Sequence, residues 1–198
     1  MSRQLTTYVS PEDYLARERE AEIKSEYFDG EIVAFAGASL EHNRVVMNIA
    51  RELSSDLKGT PCEIFSADMR VKAGRGYVYP DVVGVCGQPV FADDRFDVLL
   101  NPALLVEVLS ESTEFYDRNI TEFYDRNIKA NYYRTIESLS EYLFVSQSEY
   151  HVEQYTRQLD GRWLITDIRS LEDIVDLSSI SCKLSLREIY DRVDLSKA

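Results

Sequence analysis

The chain has 198 residues, of which 44% are hydrophobic, and a formal net charge of −13 at pH 7. This length and apolar content are enough to bury one full core, so we expect a single domain over residues 1–198. The acidic balance argues against a broad phosphate-binding surface. It does not exclude a nucleic-acid enzyme, because only the potential at the cleft matters and a metal ion would neutralise clustered acids.

Compartment signals are few. No apolar run approaches the roughly 20 residues that span a bilayer, and no apolar stretch follows a basic start, so we expect a cytoplasmic protein without membrane contact. The cysteines, Cys62, Cys86 and Cys182, are far apart and have no CxxC spacing. Cys62 and Cys86 fall in apolar, strand-like runs, which predicts small buried thiols in a reducing compartment.

The N-terminal third predicts a helix, a hairpin and a second helix. Ser10-Pro11 followed by two acids predicts a helix that begins there and runs to about Ile23. Asp29-Gly30 predicts the turn of a hairpin over residues 26–35, and the second strand is apolar on both faces, so we expect it to be covered. Apolar residues at helical spacing predict a helix over residues 39–57.

The remainder alternates strands and helices. Residues 62–72, 77–86 and 103–109 are strand-like. Further along, the pattern predicts a helix over 129–136, a strand over 141–146, a meander over 151–156 and 162–168, and an amphipathic helix over 184–193. This alternation predicts an α/β class (an α+β fold with a mixed sheet).

One segment is duplicated. Residues 113–120 recur without change as residues 121–128. Eight helical residues rotate by about 80° beyond two turns, so the two copies cannot present the same helix face. A tandem duplication, natural or introduced in cloning, explains the repeat, with one copy in the fold and the other extending a loop.

Two acids carry the chemical signal. Asp81 follows Tyr79-Pro80 at the start of an apolar run, and Glu107 stands within the apolar run 103–109. A carboxylate buried mid-strand costs several kcal/mol unless a cation or hydrogen-bond donors meet it. A divalent metal ion held between acids on neighbouring strands is one way to meet this cost, because hard ions such as Mg²⁺ take oxygen ligands. A structurally paired acid or a turn cap remains the alternative.

Four linked motifs resemble a known family. They are residues 26–33, residues 36–39 with His42, residues 79–83 and residues 106–114, followed by Tyr-Asp-Arg, a Lys and Tyr133-Arg134. Over roughly residues 8–190 the chain resembles the Uma family of putative restriction endonucleases, within the PD-(D/E)XK nuclease superfamily. The resemblance implies a restriction-endonuclease-like core with helices on both faces, to which we add the C-terminal β meander.

The resemblance also implies site residues. Asp81 and Glu107 would be the catalytic acids that bind Mg²⁺, with Mn²⁺ as a substitute. Glu26 would be the acid at the end of the first helix and would support the same site or a second ion. The superfamily places a Lys two residues after the second acid, where this chain has Leu109, so the Lys would come from the following helix.

The position that matches that Lys is Lys129, four residues after Asp125. It would orient water and stabilise charge on the phosphate. The duplication separates it from Glu107 by eight extra residues. If the first copy kept its place, Lys129 would be carried about 12 Å along a helix. We favour a looped-out first copy, which costs little entropy and leaves Lys129 in the site.

The expected function is therefore Mg²⁺-dependent hydrolysis of DNA phosphodiesters, by a homodimer that could be domain-swapped through the repeat. The alternative is a catalytically impaired nuclease fold that serves as a binding module, and a third possibility is hydrolysis of another phosphorylated molecule. His42 and His151 are expected to lie outside the site, with His151 exposed. Arg70 could meet phosphate or belong to a charged sheet edge.

Overall fold

The computed structural model of the protein describes residues 8–34, 38–66, 68–109 and 128–195. The helices among them are α1 (Pro11–Glu18), α2 (Leu40–Asp56), α3 (Ala130–Tyr133) and α4 (Leu186–Ile189). The strands of the first half are β1 (Ser25–Phe28), β2 (Glu31–Ala34), β3 (Cys62–Ser66), β4 (Arg70–Ala73), β5 (Gly76–Val78), β6 (Val82–Cys86), β7 (Val98–Leu99) and β8 (Leu104–Leu109). Those of the second half are β9 (Glu141–Ser146), β10 (Val152–Arg157), β11 (Trp163–Ile168), β12 (Ile174–Leu177) and β13 (Cys182–Ser185).

Two mixed sheets organise these strands. A six-stranded sheet has the order β11-β10-β9-β8-β6-β3, in which β8 and β9 are parallel and the other pairs are antiparallel. A five-stranded sheet has the order β2-β1-β5-β4-β7, with β4 and β7 parallel. β12 and β13 form a separate hairpin. The predicted mixed-sheet α+β class and the C-terminal meander β9-β10-β11 are confirmed.

The six-stranded sheet is covered on both faces, with helical residues on each. One face packs Val106 and Leu143 against α2 and α4. The other packs Leu105 and Phe144 against Tyr133 of α3 and against residues of the five-stranded sheet. Each large apolar side chain contributes about 1.5–3 kcal/mol when buried, so this double core fixes β8 firmly. All six residues of β8, Glu107 included, are buried.

Two predicted strands are each split between the sheets. Residues 62–72 form β3 in the six-stranded sheet and β4 in the five-stranded sheet, and residues 77–86 form β5 and β6 in the same way. The second break falls at Tyr79-Pro80-Asp81, where Pro80 has no N–H to give to a ladder. Because the chain crosses between the sheets there, Asp81 lies at their junction.

Other expectations were wrong. α1 ends at Glu18 rather than near Ile23, since Glu18 turns back to accept hydrogen bonds from the N–H and hydroxyl of Ser25. β2 is exposed along its whole length because it is the last strand of its sheet in the described part of the chain. The C-terminal segment forms the hairpin β12–β13 before the short α4.

Cys62 and Cys86 are not separate thiols. They are directly opposed on antiparallel β3 and β6 and form a disulfide, with Cα atoms 4.0 Å apart. Sequence spacing gave no signal for this pair, because cross-strand register brings together residues 24 positions apart. Cys182 is a buried free thiol. Within the described ranges, no helix is long and apolar enough to cross a membrane.

Candidate active site

Asp81 and Glu107 are brought together by β-pairing. β6 and β8 are antiparallel with Val82 opposite Val106, and the same register continued by one residue places Asp81 opposite Glu107. Directly opposed side chains have Cβ atoms about 4.5–5.5 Å apart on one face. The backbone N–H of Val108 in β8 donates a hydrogen bond to Asp81 Oδ2 over 2.7 Å, which ties the Asp81 side chain to β8. The two predicted acids therefore share one face of the six-stranded sheet.

Glu107 is buried with two donors on one oxygen. Its side chain is 5% exposed, and Lys129 Nζ lies 3.1 Å from its Oε1. The hydroxyl of Tyr133 donates to the same oxygen. Burial and the Glu107 carboxylate raise the pKa of Tyr133 well above its ordinary value, so this phenol remains a donor. The cost of burying a carboxylate in the strand is thus met by a cation and a hydroxyl.

Glu26 reaches the same lysine from the other sheet. It lies in β1 rather than at the end of α1, and its Oε1 is 3.1 Å from Lys129 Nζ. That oxygen also accepts the backbone N–H of Tyr79 over 2.9 Å. The lysine and both glutamates are each about 5% exposed or less. One ammonium group therefore bridges two buried carboxylates from two sheets.

The structure places Lys129 next to Glu107 despite the duplication. It lies directly before α3, and Tyr133 follows four residues later, so both side chains project from one side of this turn. Residues 113–127 of the repeat lie outside the described residues, and which copy occupies the family position stays a prediction. The catalytic roles of Lys129, Asp81, Glu107 and Glu26 likewise stay predictions.

His42 is a neighbour of Asp81 that sequence reasoning left outside the site. It lies in the first turn of α2, and its Nε2 is 3.3 Å from Asp81 Oδ2. The Asp81 side chain is 21% exposed and that of His42 is 13% exposed. The polar residues that flank His42 suggested an outward-facing side chain. The signal that could have placed it at the site was its position within the family motif. Asp81 is therefore the more accessible acid of the group.

A second layer of buried polar groups supports Tyr79 and hence Glu26. Arg70 is buried, and both its Nε and its Nη2 donate to the Tyr79 hydroxyl. Arg70 also pairs with Asp97 at 3.2 Å. Burial raises the pKa of Tyr79 to about 12. Arg70 is thus neither a phosphate ligand on the surface nor a charged sheet edge, because it is fully engaged in this network.

The donor set fits a hard divalent cation. Asp81, directly before β6, and Glu107 of β8 offer carboxylate oxygens from neighbouring strands, and Asp81 is partly open to solvent. Mg²⁺ and Mn²⁺ prefer such oxygen ligands and keep several waters. Lys129 beside Glu107 supplies a positive charge where a phosphate oxygen would need one. The arrangement therefore places carboxylate oxygens and a lysine ammonium group next to one another.

A separate cluster lies at the β10–β11 edge. His151 Nε2 is 2.5 Å from Asp167 Oδ1 and 3.8 Å from Glu153 Oε1, and Nδ1 is 3.4 Å from Glu149 Oε1. In the described part of the chain, His151, Glu153 and Asp167 have ligand atoms close enough to share an ion. The expectation of an exposed His151 was wrong, since it is 4% exposed. The contact between His151 and Asp167 pairs the two side chains within this cluster. Phe144 of β9 stands between Glu153 of the cluster and Glu107 in the strand register.

Comparison with known proteins identifies the family. The family model of Uma2, described as a putative restriction endonuclease, matches residues 11–187. The chain belongs to this family. The resemblance inferred from the four motifs is confirmed.

Two uncharacterized proteins of Synechocystis sp. (strain ATCC 27184 / PCC 6803 / Kazusa) are similar over most of their length. One, sll1609, is 39% identical over 165 residues, which cover 82% of this chain and 89% of the relative. The other, slr1290, is 33% identical over 184 residues, which cover 92% and 91%. Neither name assigns an activity.

A solved structure supports the fold. The crystal structure of a putative nuclease belonging to DUF820 from Anabaena variabilis ATCC 29413 is similar with a TM-score of 0.72 and 16% identity. The match covers 92% of this Uma2 chain and 97% of the other. At this identity the likeness establishes the fold alone. The nuclease-like core expected from the sequence is confirmed.

Proposed function

We propose that this Uma2 protein is a Mg²⁺-dependent endonuclease that hydrolyses phosphodiester bonds of DNA. The observation that carries the proposal is the position of Lys129, whose ammonium group lies 3.1 Å from both Glu26 and Glu107. A positive charge beside a metal-binding acid would stabilise the charge that develops on the phosphate. Lys129 contacts Glu107 although eight extra residues precede it in the chain. The family model supports a nuclease in general.

The chain's own residues have distinct roles in this proposal. Asp81 and Glu107 would hold the ion. When bound, the ion would polarise the phosphodiester and lower the pKa of an attacking water. Lys129 would carry its proton and positive charge at Nζ toward the phosphate as negative charge develops there.

Glu26 would position Lys129, since its carboxylate lies 3.1 Å from the ammonium group and is itself fixed by the Tyr79 N–H. His42 would fix Asp81 through the contact at Oδ2. These two residues act on the site through Lys129 and Asp81, so their loss should reduce activity less than loss of either acid.

The larger assembly is also proposed. We place residues 1–198 in one domain, and expect one cooperative unfolding transition. A homodimer would bring two sites to the two strands of a DNA duplex, whose backbone symmetry matches a two-fold axis. Sedimentation would test this, because a monomer at micromolar concentration would contradict the dimer without affecting the chemistry.

Cleavage of plasmid and oligonucleotide DNA in the presence of Mg²⁺ or Mn²⁺ tests the activity. The matched variants are Asp81→Asn and Glu107→Gln, with Glu63→Gln as control because Glu63 is an exposed residue of β3 in the same sheet. We expect activity to fall at least about a hundred-fold in both site variants and to remain in the control. Cleavage that persists in Asp81→Asn and Glu107→Gln would refute the proposal.

Three features favour the alternative, a non-catalytic binding module: the net charge of −13, the duplication and a lysine displaced by it. Because Lys129 contacts Glu107, the third feature no longer favours it. Calorimetry separates the two: a binding module would take up no Mn²⁺ and would become more stable in Asp81→Asn, since relieving an acid cluster stabilises a protein that needs no metal.

A further inference from the structure

Tyr133 is a buried residue that belongs to the family motifs but has no role in the reaction scheme. Its side chain is fully buried, and its hydroxyl donates to Glu107 Oε1. Its ring packs edge-on against Tyr142, with centroids 5.9 Å apart. The ring thus belongs to the core while the hydroxyl reaches the second acid of the site.

Two donors from one helical turn share a single oxygen of Glu107. Lys129 and Tyr133 are four residues apart, and both meet Oε1. Lys129 also pairs with Glu26, so its ammonium group is divided between two carboxylates. The ammonium group of Lys stands on a flexible four-carbon stem, whereas the ring of Tyr is rigid and is held by core packing. Of the two donors, Tyr133 is therefore the one that fixes the direction of the carboxylate.

This difference matters once a phosphate enters. A phosphate oxygen that contacts Lys129 would compete with Glu107 and Glu26 for its three N–H donors. Glu107 would then depend more on its other donors to keep its orientation. The Tyr133 hydroxyl contacts Glu107 directly, without Lys129 as an intermediary.

We infer that Tyr133 is a positioning residue for Glu107: its hydroxyl holds the carboxylate in the orientation that binds a divalent ion, and so leaves Lys129 available to the phosphate. This inference rests on the proposed function. Groups that orient metal ligands in this way typically contribute about 10–100-fold to metal affinity. A residue that only packed in the core would leave the affinity of the folded protein unchanged.

Mn²⁺ titration of the full chain tests the inference, with Tyr133→Phe as the variant. Tyr142→Phe is a matched control, because Tyr142 is equally buried and its hydroxyl accepts a hydrogen bond from Arg134 Nε at 3.1 Å. We expect the dissociation constant for Mn²⁺ to rise about ten-fold or more in Tyr133→Phe and to stay within about two-fold in Tyr142→Phe. The stoichiometry of each titration reports the folded fraction, so lost affinity and lost protein are separated.

The outcomes distinguish the two levels of the argument. An unchanged dissociation constant in Tyr133→Phe, with wild-type binding intact, would overturn this inference and leave the proposed function standing. Equal weakening in Tyr133→Phe and Tyr142→Phe would show a general loosening of the core and would also overturn it. No Mn²⁺ binding by the wild-type chain would overturn the proposed function and this inference together.

Discussion

Glu107 and Glu141 are two buried glutamates on the adjacent strands β8 and β9, and they are satisfied in different ways. Glu107 contacts the ammonium group of Lys129 and the phenol of Tyr133, and a second carboxylate, Glu26, contacts the same ammonium group. Glu141 is 1% exposed and accepts from the Gln154 amide at 3.0 Å and from the Ser179 N–H at 2.8 Å. Its partners in the described part of the chain are neutral and belong to β10 and to the turn between β12 and β13.

The difference indicates which acid is structural. The Gln154 amide and the Ser179 N–H tie Glu141 to one geometry, so it connects the β12–β13 turn to the sheet. Glu107 is balanced by the charge of Lys129 and a phenol, so a metal ion can add to its partners without displacing a backbone donor. A buried carboxylate balanced by a side-chain cation is therefore the better candidate for a metal ligand.

Breaking the ion pair should give the largest effect. In Lys129→Ala, Glu26 and Glu107 remain buried on either side of the removed ammonium. Loss of one partner of a buried pair typically costs about 3–5 kcal/mol, and we expect that loss in the free energy of unfolding measured by denaturant titration. Lys58→Ala, at an exposed lysine after α2, should stay within about 0.5 kcal/mol. Equal values for the two variants would show that the bridge does not stabilise the fold.

Substituting each glutamate by glutamine should separate the two acids. Glu141→Gln turns an amide N–H₂ toward existing donors, so we expect a loss of about 1–3 kcal/mol in stability with Mn²⁺ affinity unchanged. Glu107→Gln removes a metal ligand, so we expect Mn²⁺ binding to disappear. Calorimetric titration with unfolding measurements on both variants checks this. Loss of Mn²⁺ binding in Glu141→Gln alone would reverse the assignment of structural and functional acid.

A half-exposed acid provides the weakest case. The hydrogen bond from Arg19, 2.8 Å from Asp97, lowers the pKa of Asp97 below its ordinary value. A lowered folded-state pKa stabilises the protein above the unfolded-state pKa of about 3.9, and this stability is lost as the pH falls through the folded-state pKa.

Asp97→Asn should therefore cost about 0.5–1 kcal/mol at pH 7, and the difference from wild type should shrink as the pH falls through the lowered folded-state pKa of Asp97. Unfolding free energies measured from pH 2 to pH 7 give the comparison. A difference that stayed constant over this range would mean that the Asp97 charge contributes nothing.

Several features were predictable from the sequence because they depend on local patterns. Apolar spacing located α2, Asp29-Gly30 located the β1–β2 turn, and an acid within an apolar strand indicated Glu107 as a residue that needs a partner. The neighbouring positions of Asp81 and Glu107 also followed, since two consecutive strands of a nuclease-like core usually pair. Local periodicity was sufficient for these elements.

What could not be predicted depends on which strands share a sheet. An apolar β2 pattern does not show that the strand ends a sheet, and residues 77–86 do not show that Pro80 sends the chain from one sheet to the other. The Cys62–Cys86 bond and the contact of His42 with Asp81 follow from that topology. The role of the Tyr133 hydroxyl could not be predicted, because the ring of this residue packs in the core like that of any buried tyrosine.

The most direct test of the central claim is a crystal structure of the protein soaked with Mn²⁺, with the ion located by its anomalous scattering. The proposal predicts a peak between the Asp81 and Glu107 carboxylates, with Lys129 remaining beside Glu107. A peak confined to His151, Glu153 and Asp167, or none between Asp81 and Glu107 at saturating Mn²⁺, would contradict it.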